Sequence, residues 1–164
     1  MLSNYSVKDA QREASRIQHF LPVAELRQMC GDSRANTRLL ALLVMRRQIQ
    51  ERGATLEYLE LARILIEDES NDCRWQAMIV IGEFIPSHPD TVWEVVAKHG
   101  VSDDQDMQMA VATVLLEHLI DHFPAEFRRR ADELAAQSNR FAETLRNAWS
   151  FESANDESSP RPIP

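Results

Sequence analysis

The richest stretch of reactive side chains in this sequence is Glu117-His118-Leu119-Ile120-Asp121-His122. Two imidazoles four residues apart share one face of a helix, so His118 and His122 have the spacing to reach one metal ion, with Glu117 or Asp121 beside them. The order is not the His-Glu-x-x-His of zinc hydrolases, and spacing supplies no third ligand. The alternative reading makes both histidines exposed polar positions at the end of a long helix, and no resident metal is expected. His88 and His99 lie nearby in the chain, but nothing in sequence ties them to the pair. No Ser-His-Asp order, Cys-His pair, phosphate-binding glycine loop or dinucleotide fingerprint appears. Neither catalysis nor a cofactor is expected.

The second feature is a pair of acidic turns. Glu67, Asp68, Glu69 and Asp72 form one, and Asp103, Asp104 and Asp106 form the other. Carboxylates at helix starts accept free backbone amides and favour the helix dipole, so one reading is capping. The other is an acidic edge, shared by both turns, that docks a basic protein or peptide. Glu83, Glu117 and Asp121 continue the acidic character along the helices that follow. Trp75 is a candidate partner anchor on a mixed register, with core packing as its alternative, whereas the spacing of Val-Trp-Glu-Val-Val suggests burial of Trp93. Arg46/Arg47 and Arg128/Arg129/Arg130 read as solvated helix faces or as contacts for an acidic partner.

Charge is unevenly distributed. The 164 residues carry a formal charge of -8. Residues 1–54 hold nine basic and five acidic side chains, residues 55–126 three and fifteen, and residues 127–164 six of each, giving +4, -12 and 0. A duplex presents about one negative charge per ~1.7 Å, so an acidic centre disfavours nucleic acid as a partner. The +4 third and the -12 centre are complementary, so head-to-tail association into a homo-oligomer is an open reading. No apolar run approaches the ~18 residues of a membrane span, and the N-terminus lacks a signal-like apolar core, so the expectation is a cytoplasmic protein without a membrane partner. Cys30 and Cys73 sit inside apolar patterns and are read as buried thiols rather than as a disulfide or zinc framework.

The elements that position these groups are all helical. Val7, Ala10, Ala14 and Ile17 recur at three and four residues behind a capping Ser6 and Asp9. Further helices are predicted at 22–30, 34–51, 55–67, 71–85, 90–99, 104–122, 125–136 and 138–149. Pro22, Pro86, Pro89 and Pro124 fall at starts or connections, and Gly53 and Gly100 follow helices where a left-handed closing residue fits. No segment alternates with period two. Residues 1–150 are read as one helical domain and 151–164, rich in Ser, Pro and acid, as a disordered tail.

The second helix of each pair exposes a repeat. Asp68-Glu-Ser-Asn-Asp-Cys-Arg74-Trp-Gln-Ala77 aligns with Asp32-Ser-Arg-Ala-Asn-Thr-Arg38-Leu-Leu-Ala41 at 36 residues, a further 33 brings Met107 under Arg74, and another 33 brings Arg140 under Met107. Periods of this length mark stacked helical pairs. With Asp in the turn and Arg six residues later, the chain resembles the HEAT-repeat (ARM/HEAT-type) family over about residues 20–150. The resemblance implies an all-α, right-handed α-α superhelix of about four antiparallel helix pairs plus a leading helix. It also implies that Asp32, Arg38, Asp68 and Arg74 form a structural ladder between repeats, weakening where Val101 and Met107 occupy the two positions. The function it implies is a non-catalytic protein-interaction scaffold. The alternative is a HEAT-like DNA alkylation repair glycosylase, a family with a basic groove that the acidic centre here opposes.

Overall fold

The computed structural model describes residues 7–17 and 20–148. They form ten α-helical segments and one π-helical segment, with no strand among the described residues. The chain divides into two compact units, one ending at Phe84 and the other starting at Ile85.

The first unit contains α1 (Val7–Arg16), α2 (Val23–Cys30), α3 (Ala35–Arg52), α4 (Leu56–Leu65) and α5 (Asn71–Gly82). Its centre is α3, which packs on α1, α2 and α5, while α4 packs on α5 and α2. Leu39, Leu40, Ala41, Leu42, Val44, Met45 and Ile49 are all buried, so α3 is apolar around most of its girth. Each of the Leu, Val, Met and Ile side chains contributes about 1.5–3 kcal/mol on burial. One polar group enters this core by satisfying all it meets. Gln48, 1% exposed, accepts from the Leu21 amide at 2.8 Å and donates to the Leu21 carbonyl at 3.2 Å and the Tyr58 hydroxyl at 2.8 Å. It thereby ties the approach to α2 and the body of α4 onto α3.

The second unit contains α6 (Pro89–His99), α7 (Gln105–Ala110), the π segment Val111–Leu116, α8 (Glu117–His122), α9 (Pro124–Gln137) and α10 (Asn139–Asn147). Sequence predicts one α-helix over 104–122; the observed rod has α ends and a π middle, in which Thr113 donates its hydroxyl to the Met109 carbonyl at 2.9 Å. Val111, Ala112, Leu115 and Leu116 are fully buried, and this segment packs on α6 and α10. Phe127 and Phe141 are buried, with Trp93 against both rings at centroid distances of 5.7 and 6.1 Å.

Proline placement follows expectation: Pro22 precedes α2, and Pro89 and Pro124 open α6 and α9. The two glycines behave differently. Gly53 closes α3 at φ 96°, a positive φ that favours glycine, but its ψ of 162° is extended rather than the left-handed helical value expected. Gly100, under the same expectation after α6, has φ -69°. Its requirement is steric instead, because a Cβ there would stand 2.7 Å from the Val96 carbonyl and 2.8 Å from the Phe141 ring. Further, α5 ends at Gly82 rather than continuing to 85. Ser6 and the 151–164 tail lie outside the described residues.

Candidate interaction surface

The turn that leads into each long helix is built on one pattern. Asp32 Oδ1 accepts the Arg34 amide at 2.8 Å, while its carbonyl accepts from Arg38 Nη1 at 2.8 Å. Asp68 Oδ1 accepts the Ser70 amide at 2.8 Å, and its carbonyl accepts from Arg74 Nη1 at 3.0 Å. In the second unit Ser102 Oγ accepts the Asp104 amide at 3.1 Å, and its carbonyl accepts from Gln108 Nε2 at 2.9 Å. A side-chain acceptor thus holds the turn from inside, and a long donor six residues on holds it from the helix. This corrects the alignment of the third turn. Its counterparts of Asp68 and Arg74 are Ser102 and Gln108, at 34 residues, not Val101 and Met107 at 33. The sequence signal was the six-residue polar pair itself, masked by the match of Ala110 to Ala77.

Between the first two turns runs a buried ion pair. Arg38 donates from Nε to Asp68 Oδ2 at 2.6 Å and from Nη2 to Asp68 Oδ1 at 2.9 Å, with the two side chains 9% and 5% exposed. Burial alone raises the Asp68 carboxyl. The hydrogen bonds from Arg38 and the Ser70 amide, with the charges of Arg38 and Arg74, outweigh it and hold the group below the ordinary carboxylate range. Asp68 is therefore removed from the partner-binding set and is a structural group, because its oxygens are already taken and out of reach. Arg74 also meets Asn71 Oδ1.

The remaining candidates separate by accessibility. Glu67, Glu69 and Asp72 are exposed around the turn before α5, Glu69 making only a 3.4 Å contact to Arg38. Along α5 and its closing residue Glu83, Asp72, Trp75, Ile79 and Glu83 recur at three and four residues and share one face. Trp75, Ile79 and Glu83 are half-buried on it. Glu83 Oε1 accepts from Arg46 Nε and Gln50 Nε2, both at 2.9 Å, so α3 and α5 are joined at the far end of this face. In the second unit the positions 34 residues on, Asp106, Met109, Thr113 and Glu117, are likewise half-buried.

Asp104 caps α7 by accepting the Asp106 and Met107 amides at 2.9 and 3.3 Å, and Asp103 pairs with Arg140 while both side chains stay exposed. Asp121 is exposed. His118 and His122 are exposed, and a 2.9 Å hydrogen bond joins His122 Nδ1 to the His118 carbonyl. Among the described residues no three His, Cys, Asp or Glu side chains converge as a metal site. The arginine run on α9 is internally balanced: Arg128 pairs with Asp132, Arg129 with Glu133, and Arg130 with Glu126 and Asp90. Cys30 and Cys73 are buried free thiols, and burial together with the neighbouring Cys73 pushes Cys30 up to about 11.

No helix among the described residues is long and apolar enough to cross a membrane. Compared with protein-family models, curated proteins and solved structures, the chain matches none.

Proposed function

We propose that the chain is a non-catalytic α-helical repeat module of the HEAT-like kind, a right-handed stack of helix pairs behind a leading helix, that binds a basic protein or peptide. The observation that carries this reading is the turn repeated at Asp32/Arg38, Asp68/Arg74 and Ser102/Gln108, each leading into a long helix. Repetition of one hydrogen-bonded device supports a repeat architecture more directly than helix content does. The sign of the partner follows from Glu67, Glu69 and Asp72, which remain exposed after Asp68 is used internally. The half-buried Trp75 and Ile79 next to them supply apolar contact area of the type that anchors protein interfaces. The glycosylase-type alternative has less support, since the densest arginine cluster, on α9, is neutralised within the chain.

The test is crosslinking and affinity capture from the native cell with the wild-type chain and with Glu67→Lys/Glu69→Lys/Asp72→Lys. Loss of the same partners in the charge-reversed variant, with the circular dichroism spectrum retained, is the expected outcome. An unchanged partner set would remove the acidic-edge reading.

A further inference from the structure

We propose that the outer face of α4 is a second docking surface, fitted to a basic amphipathic helix of a protein partner. It rests on the adaptor reading only for the sign of the partner's charge.

The inward side of α4 is fully used: Tyr58, Leu59, Leu61, Ala62 and Leu65 are at most 3% exposed. The opposite side carries Leu56 and Ile64, 52% and 66% exposed. Single exposed leucines are ordinary. Here the two branched side chains and Glu60 stand at i, i+4 and i+8, one stripe about 12 Å long. The other large hydrophobic found exposed among the described residues, Phe20, lies beneath the Arg52 guanidinium at 4.7 Å. Leu56 and Ile64 instead share the exposed side of α4 with Glu57, Glu60 and Arg63, and Glu67 and Glu69 follow in the turn, so that four exposed acids stand against one exposed base.

This arrangement specifies its complement. The two apolar side chains, about 12 Å apart, match the separation of side chains two turns apart on a second helix laid along α4. Carboxylates between and around them call for Lys and Arg on the flanks, whose aliphatic stems extend the apolar contact while their charges meet the acids. A second copy of this chain fits less well. Its outward basic stripe, Lys8, Arg12 and Arg16 on α1, lacks apolar knobs because Ala10 and Ala14 are turned inward and buried. An anionic lipid surface is opposed by the same carboxylates.

The probe is a labelled synthetic helix of about 18 residues with leucines along one face and lysines on both flanks, titrated into the whole chain by fluorescence anisotropy and by amide chemical-shift mapping. We expect binding that weakens with added salt, shift changes centred on Leu56–Leu65, and a loss of affinity of at least about tenfold in Ile64→Glu. Leu56→Ser, which adds no charge, should weaken binding in the same direction, and both variants should keep the wild-type melting curve because the altered groups are exposed. Equal binding of the glutamate-flanked version of the probe would overturn the proposal. So would shift changes on the Trp75 and Ile79 stripe of α5 with Ile64→Glu unaffected, an outcome that leaves the adaptor reading standing. Absence of binding anywhere on the chain would overturn this surface and count against the adaptor reading too. Self-association abolished by Ile64→Glu would assign the face to a second copy instead.

Discussion

Asp68→Asn isolates the buried charge at the centre of the first unit. Asparagine keeps the shape, keeps an oxygen for the Ser70 amide and keeps one acceptor toward Arg38, but it removes the charge opposite a guanidinium that is 9% exposed. Breaking one side of a buried pair costs about 3–5 kcal/mol. The carbonyls of Asp32 and Ser33 still accept from Arg38 Nη1 at 2.8 and 3.0 Å, so the expected loss is at the lower end, about 3 kcal/mol. For a chain of this length that lowers the melting temperature by roughly 6–12 °C. The exposed neighbour provides the control: Glu69, 83% exposed and 3.4 Å from the same guanidinium, should cost less than about 0.5 kcal/mol when changed to Gln. The pH dependence has a definite sign. Because the folded carboxyl lies below its usual range, its stabilisation is complete above the unfolded value near ~4 and disappears as pH falls through the folded value. The gap between wild type and Asp68→Asn, read by urea unfolding, should therefore be full at neutral pH and close in acid. A gap below about 0.5 kcal/mol at pH 7, or one undiminished in acid, would refute the argument.

Two buried glutamines should respond oppositely to loss of their amides. Gln48→Leu strands the Leu21 amide and carbonyl and should cost about 2–3 kcal/mol by urea denaturation, whereas Gln76, whose buried Nε2 has no acceptor, should gain up to about 1 kcal/mol as Gln76→Met. Gly100→Ala drives a methyl against the Val96 carbonyl and the Phe141 ring, so thermal melts should show a loss of about 1–3 kcal/mol despite the better helix propensity of alanine. With Cys30 raised to about 11 and Cys73 0% exposed, aromatic disulfide reagents at pH 8 should label the thiols at the rate of unfolding; stoichiometric labelling within seconds in native buffer would falsify their burial.

The helices were legible because their information is local. Val7, Ala10 and Ala14 specify a face by spacing alone, and Pro89 and Pro124 mark starts by a geometry internal to the residue. The turn pattern was legible at its first two occurrences, where Asp and Arg recur, and was displaced by one residue at the third, where Ser102 and Gln108 perform the same hydrogen bonding with neutral groups. Gly100 was misread because its constraint is contact with Phe141, 41 residues away in the chain and invisible to any local pattern.

Sequence by itself determined the helical period, the acidic centre and the polar turns, since each depends on residue type and separation along one element. Tertiary structure decided which carboxylates are buried and which stay exposed. Asp68 is consumed by Arg38 across 30 residues, Glu83 by Arg46 across 37, and Glu67, Glu69 and Asp72 are left at the surface. Neighbouring acids of identical chemistry part company because pairing and burial are set by what the folded chain places opposite each one, and only the assembled helices supply that opposite side.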